Sequence, residues 1–464
     1  MRYVYTLLFI VLLAAGGTWW YAGRLPGPDI AIATPDKYVG QSTPLDISVT
    51  APRAQLQSLE ITFEQDGKQT PLFSLADPSG AKVEQKSADT VRVTRTIGRD
   101  AIPGLKTGAG RIIVKTSRPV LYGWRTADST AARDVQVRLE RPRLTVLSSK
   151  HYVNLGGSEM IVYRVTPADV ESGVQVGDLS YPGFPASGAN AVAGVNFTDP
   201  SVKIAFFALR YDQDLNTPMH LYARDPAGNT ARADFDHLTF PKPFKRSRIG
   251  LDDRFLDRVV PAILDTTDEI RPEGSTLDKY LAINGELRKK NAAKIASFAK
   301  ESSPDMLWAG VVFHPFTNSA VEAAFADHRT YVYQGREVDQ QVHLGFDLAS
   351  VANAPLVSAN AGKVVYAAPL GIYGNCVIID HGMGVQSLYG HLSSISVQAG
   401  DMVKKEQEIG RTGMTGLAGG DHLHFTMLLD GQMVNPVEWW DAHWIQDRIL
   451  RKLHEAASAQ RGQT

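Results

Sequence analysis

The hydrophobic rhythm of the chain changes several times. From Tyr3 to Ala22 no residue is charged, and the run matches the roughly 20 apolar residues a helix needs to cross a bilayer. Tyr3 and Tyr5 stand at one end and Trp19, Trp20 and Tyr21 at the other, as in an aromatic belt. Leu25-Pro26-Gly27-Pro28 cannot continue that helix. From there to about Phe240 apolar and polar residues alternate in short runs, including Val91-Arg92-Val93-Thr94-Arg95-Thr96-Ile97 and Asp134-Val135-Gln136-Val137-Arg138-Leu139-Glu140. Period two with turn-rich spacers such as Asp77-Pro78-Ser79-Gly80 predicts antiparallel sandwiches.

A break near Arg141-Pro142-Arg143 divides the strand-rich region in two. After the basic, proline-broken stretch from Pro241 to Arg248 the period becomes helical: Phe255, Val259, Val260, Ile263 and Leu264 recur on one face. Leu281, Ile283, Leu287, Ile295 and Phe298 do the same, and Asn284 to Lys300 has the Ala, Lys and Glu content of an exposed helix. Strands and glycine turns return from Tyr331 to Pro436, and a final helix begins at Trp444. The expected architecture is multidomain and mainly β. Residues 1–24 are read as a transmembrane anchor or signal, 28–141 and 142–241 as two β-sandwich-like domains, 250–328 as a helical connector, 331–445 as a further β domain and 446–464 as a C-terminal helix.

Composition narrows the function. The 464 residues carry 48 Lys plus Arg against 49 Asp plus Glu, a balance that gives no reason to expect nucleic acid as partner. Cys376 is the only cysteine, which excludes an intramolecular disulfide and a thiolate-rich structural zinc site. Any metal must be held by His and carboxylates. A cleaved signal is the competing reading of the N-terminus, but Ala14-Ala15-Gly16 lies inside the apolar run and Tyr21-Ala22-Gly23 places an aromatic where a small residue is wanted. The expectation is a single pass through the cytoplasmic membrane by residues 3–22, with residues ~25–464 extracytoplasmic, in the periplasm.

Five of the 12 histidines fall between 343 and 424: His343, His381, His391, His422 and His424. In Val342-His343-Leu344-Gly345-Phe346-Asp347-Leu348 the apolar residues occupy alternate positions. That predicts a strand with His343, Gly345 and Asp347 on one face, the glycine leaving room between two ligands. Asp421-His422-Leu423-His424-Phe425 puts two imidazoles on one strand face with Leu423 and Phe425 turned to the core. A catalytic zinc takes three protein ligands and keeps a place for water, whose pKa it lowers to about 7. His391, in Leu388-Tyr389-Gly390-His391-Leu392, adds a group for proton transfer or oxyanion stabilisation. Spacing leaves open whether His422 or His424 binds the metal. A two-His-one-carboxylate set also suits iron in an oxygenase, against which the surplus histidines argue. Cys376, beside Val377, Ile378 and Ile379, reads as a buried thiol, and His381 as structural.

The order H-x-x-x-D, Y-G-H-L and H-L-H-F, with Gly362-Lys363-Val364-Val365, Asp380-His381-Gly382 and Ile409-Gly410-Arg411-Thr412-Gly413 between, resembles the lysostaphin-type (LytM-domain) zinc metallopeptidases over about 100 residues. The resemblance implies a small antiparallel β domain with one Zn(2+) held by His343, Asp347 and His424. It implies His391 and His422 as the catalytic pair, His422 being the general base, and peptide cross-links of bacterial peptidoglycan as substrate. It also implies cell-wall machinery proteins as partners. Some family members have lost ligands and activate other wall hydrolases, which gives a non-catalytic alternative. Thr426 after H-L-H-F, Asn353-Ala354-Pro355-Leu356, and Ile372 within a glycine turn depart from the family pattern without touching a ligand.

Overall fold

Alternating residues in the first 240 positions become paired sheets in a computed structural model that describes residues 2–309, 311–314 and 316–461. Met1 at the edge of the expected anchor, residues 310 and 315 in the expected connector, and the last three residues of the expected C-terminal helix lie outside the described residues. The protein is mainly β with an N-terminal apolar helix. It divides into two compact units. One holds the residues up to Pro142 together with Arg224–Ala231, and the other holds Arg143–Ala223 and the chain from Arg232 on.

In the first unit α1 (Arg2–Ala22) is exposed from Tyr3 to Tyr21 and buried at Ala22, and Tyr3–Ala22 is long and apolar enough to cross a membrane. A four-stranded and a five-stranded sheet follow. The longest ladder joins β1 (Gly108–Val120) to β2 (Arg125–Val137), antiparallel from Gly108 opposite Val137 to Val120 opposite Arg125. Inward positions of both sheets, among them Ile47, Ile61, Phe63, Val93, Ile112 and Val114, form one core. Outward positions carry pairs such as Arg92 with Asp46.

In the second unit β3 (Ser158–Thr166) lies between Arg143–Val146 and Val202–Ala208 in a four-stranded sheet. Its first residues are fastened to the C-terminal part of the chain by buried polar contacts. Glu438 accepts from Ser158 N at 2.6 Å and from Asn154 Nδ2 at 2.8 Å. Lys452 Nζ reaches Glu159 Oε1 at 2.7 Å, both side chains being buried. Trp439 Nε1 donates to Ser158 Oγ. Each buried polar atom here has a partner, which burial requires.

Next, β4 (Arg246–Leu251) runs parallel to β5 (Asp327–Tyr333), so the end of the basic, proline-broken stretch from Pro241 to Arg248 is a strand. Between them α2 (Asp253–Leu264) starts at Asp252, whose side chain accepts from Phe255 N, and buries Leu256, Val259, Val260 and Ile263. Helical structure continues from Thr276 and ends at Glu301, short of residue 328, where the expected helical connector ends. The stretch read as an exposed helix is half-buried: Asn284, Leu287, Asn291 and Ile295 face inward.

β5 pairs antiparallel with β6 (Arg336–His343). The chain then joins an eight-stranded antiparallel sheet at β7 (Phe346–Ala349); in it β9 (Leu423–Leu429) lies between β7 and β8 (Val385–Leu392). Every residue of β8 and β9 is buried, because the helices cover one face. Leu256, Val260, Ile283 and Leu287 share a core with Ile378, Leu388 and Leu428. Ile372, the residue intruding in the glycine turn, belongs to the same core, and its N–H donates to Asn291 Oδ1.

Candidate metal centre

Two neighbouring strands and a change of sheet assemble the donor set. Val342–Leu348 is not one continuous strand, as its alternation predicts. His343 ends β6, which pairs with β5, and Asp347 lies in β7, which pairs with β9. The chain changes sheets at Leu344-Gly345. A Cβ on Gly345 would lie 2.5 Å from His424 Cε1 and Nε2, so the position has room only for glycine. Within the sheet Asp347 stands opposite His424, and His424 opposite Gly390. That register brings His391 alongside.

His343, Asp347 and His424 each offer a ligand atom, all within 4.8 Å of one another. Asp347 Oδ1 lies 2.9 Å from His343 Nε2 and 3.0 Å from His424 Nδ1, and the two ring nitrogens are 3.0 Å apart. His343 Nδ1 faces the carbonyl of Ala324 at 3.2 Å and must donate there, so its Nε2 presents a lone pair to the cluster. Among the described residues His424 Nε2 is buried without a hydrogen-bond partner. Lone pairs and a carboxylate converging in a buried place, with an orphaned ring nitrogen beside them, fit a cation.

His422 and His391 flank this set. His422 Nδ1 donates to Gly420 O at 2.9 Å and His391 Nδ1 to Thr415 O at 2.7 Å, so each neutral ring keeps Nε2 free to accept a proton. Their centroids are 4.8 Å apart, and His391 is 5.7 Å from His424. His391 has φ 66, a left-handed conformation costly for a residue with a Cβ and common at functional sites. His422 Nε2 is 3.5 Å from Asp347 Oδ1. Burial pushes the Asp347 carboxyl up, but the charge and hydrogen bonds of His343, His422 and His424 outweigh it and hold the carboxyl well below its ordinary value. Burial, with the neighbouring imidazoles, holds His391 well below the usual imidazole range, and burial brings His424 down to about 4.

All five residues singled out by the sequence thus come together. His381 does not join them. Its ring bonds Ala361 O and Ser387 Oγ, each at 2.7 Å. Sequence reasoning missed Arg329 on β5, whose Nη2 lies 3.2 Å from Asp347 Oδ2 and whose Nε faces Asp327 Oδ2 at 3.4 Å. It also missed Tyr373, whose ring lies 5.4 Å from that of His424. Neither belongs to a metal-ligand spacing. Arg329 falls between the expected helical connector, ending at 328, and the strands expected from Tyr331.

The cluster opens into a groove of about 400 Å³. Much of its wall, including Leu251, Phe255, Tyr280 and Tyr331, comes from β4, β5 and the helices before the histidine-rich region.

Residues 341–436 match the model of peptidase family M23. This C-terminal segment is an M23 domain. Over 97 residues the chain is 40% identical to the DD-carboxypeptidase/endopeptidase Mpg of Neisseria meningitidis serogroup B, covering 21% of this chain and 22% of that protein. Over 118 residues it is 33% identical to the peptidoglycan DD-endopeptidase ShyB of Vibrio cholerae, covering 25% and 27%. Similarity to these curated relatives therefore spans only about a quarter of their length. Among solved structures, a zinc-containing peptidase from Vibrio cholerae aligns over 89% of this chain and 85% of its own, with 12% identity and a TM-score of 0.25. The M23 match begins two residues before His343 and ends at Pro436, so Arg329 and the groove wall from β4 and α2 lie outside it.

Proposed function

We propose that the chain is a zinc metalloendopeptidase, anchored in the cytoplasmic membrane by α1, that hydrolyses peptide cross-links of bacterial peptidoglycan on the periplasmic side. The observation that carries this reading is the meeting of His343, Asp347 and His424 within 4.8 Å, with the rings of His391 and His422 beside them, each held through Nδ1. Relatives named as DD-endopeptidases support the substrate class.

His343, Asp347 and His424 would hold one Zn(2+) per chain. A zinc ion bound there supplies Lewis acidity and a water of lowered pKa. The remaining chemistry falls to the protein. His422 Nε2, fixed by the Nδ1 bond to Gly420 O, takes the proton from the attacking water as general base. His391, fixed through Nδ1 by Thr415 O, takes up at Nε2 the remaining proton of the attacking water and passes it to the departing amine. Arg329 holds the outer oxygen of Asp347 and keeps that carboxylate in place. The apolar wall from Leu251, Phe255 and Tyr280 excludes water from one side of a bound peptide.

A regulator of other wall hydrolases is the second reading, but such a role needs none of these five side chains, and all five are present. Zinc analysis of the purified full chain and incubation with sacculi separate the two. About one zinc per chain and soluble fragments support the enzyme. Zinc-loaded protein that binds sacculi without cutting them supports the regulator.

A further inference from the structure

The turn that closes the longest hairpin of the first unit is unlike the rest of its surface. β1 ends at Val120 and β2 begins at Arg125, and the four residues between are Leu121-Tyr122-Gly123-Trp124. Tyr122 is 102% and Trp124 79% exposed, although large aromatics in water-facing turns cost solvation and are ordinarily tucked away. This turn lies against the end of α1. Val120 and Ala127 form a small apolar cluster with Ala22, joined by Leu25 and Leu121. Arg125 Nη1 donates to Trp19 O at 2.8 Å, and its guanidinium lies 4.9 Å from the centre of the Trp19 ring.

The approach is built in. A Cβ on Gly23 would sit 2.7 Å from the Arg125 guanidinium. Arg118 Nη2 donates to Pro26 O at 2.8 Å, holding the chain that leaves α1 against the hairpin. The helix is therefore docked on the hairpin and not strung from a loose tether. Arg125 contacts α1 at Trp19, three residues before its end at Ala22, which is about 4.5 Å back along the axis at 1.5 Å per residue. That is the level of the aromatic belt formed by Trp19, Trp20 and Tyr21.

We propose that the Leu121–Trp124 turn is a second membrane contact, with Tyr122 and Trp124 seated in the headgroup region of the leaflet that α1 leaves. The occupant is the lipid surface, because the turn is continuous with the helix that enters it. Tyr and Trp combine an apolar ring with a polar tip and favour that layer. Arg118 and Arg125 add positive charge beside it, suited to lipid phosphates. The contact fixes the first sandwich to the membrane at two points. This inference rests on α1 lying in a bilayer.

The test uses the full chain in liposomes, with an environment-sensitive dye attached through Tyr122→Cys or, separately, Trp124→Cys. Cys376 is buried and out of the dye's reach. Leu12→Cys reports the helix, and Asp66→Cys, in the turn between Ser58–Gln65 and Lys68–Ser74, reports water. The expected result is blue-shifted emission at 122 and 124 that is quenched by lipids spin-labelled near the headgroup. The Leu12→Cys dye should be quenched by deeply labelled lipids, and the Asp66→Cys dye by neither. Emission at 122 and 124 matching that at 66, while 12 lies in lipid, overturns the proposal alone and frees the turn for a protein partner. A water-exposed dye at 12 overturns the anchor as well.

Discussion

Arg329 holds one oxygen of Asp347 while the other faces two histidines: Nη2 lies 3.2 Å from Oδ2, and Oδ1 lies 2.9 Å from His343 Nε2 and 3.0 Å from His424 Nδ1. The carboxylate is thereby oriented from behind by a residue outside the M23 match. Partners of ligating groups commonly matter 10–100-fold for metal affinity or activity. Arg329→Ala should weaken zinc binding by about that factor in a chelator competition titration. An unchanged affinity would show that the guanidinium neutralises charge without positioning the ligand.

The two imidazoles of the H-x-H pair should separate by role. His424→Ala should lose both zinc and hydrolysis, whereas His422→Ala should keep zinc and lose hydrolysis, because the His422 Nδ1 bond to Gly420 O already fixes its ring. Metal content measured beside sacculus digestion decides the matter. An empty site in His422→Ala would exchange the two assignments.

These roles mark where the sequence stopped being sufficient. Period-two alternation identified the faces of His343, Asp347, His422 and His424, and the His391 motif completed the set. It also implied one continuous strand through Gly345, because alternation cannot register a change of sheet in which both halves keep their inward pattern. Arg329 and Tyr373 were invisible for a related reason: their place depends on β5 and on the turn at Gly371–Tyr373 meeting strands far away in sequence. The helices before residue 302 were legible from Val259, Val260 and Ile263. Their packing on the sheet was not, since Asn284 and Asn291 look like surface residues until Asp339 and the Ile372 N–H supply their partners.

That packing leads to a prediction about truncation. An isolated segment of residues 330–445 would expose Cys376, Ile378, Leu388 and Leu428, which are covered by Leu256, Val260, Ile283 and Leu287. Each large side chain returned to water costs about 1.5–3 kcal/mol. The segment should aggregate or melt well below the full chain in a thermal scan, and adding back residues 246–301 should restore it. A soluble segment with the same melting temperature would contradict this.

Glu438 should make stability fall as pH rises from about 4.5 to about 7. Burial raises its carboxyl to about 7 from an ordinary 4.5, against the lowering effect of the bonds from Asn154 and Ser158. Between those values the folded chain binds more protons than the unfolded one, so stability is lost as pH rises through 7. Glu438→Gln should flatten the melting temperature between about pH 5 and pH 7, the range between the ordinary and the raised value. Glu438→Ala should destabilise at every pH by about 1–3 kcal/mol, since the Ser158 N–H loses its acceptor. A parallel pH slope in Glu438→Gln would contradict the assignment.

Buried His151 and His381 should act in the opposite direction. Burial lowers both to about 4, so from 6.5 downward the unfolded chain binds more protons and stability is lost as pH falls. His381→Asn should lessen the fall in melting temperature between pH 6.5 and pH 5 while lowering stability at neutral pH, because the bonds to Ala361 O and Ser387 Oγ change. An unchanged acid slope would show that other groups set it.

The most direct test of the central claim is digestion of purified sacculi by the zinc-loaded full chain, with the soluble fragments identified by mass. The predicted result is release of glycan strands carrying uncross-linked stem peptides, by cleavage of the cross-linking peptide bond, lost on chelation, restored by zinc, and absent in His424→Ala. Intact cross-links after incubation with protein carrying one zinc per chain would contradict it.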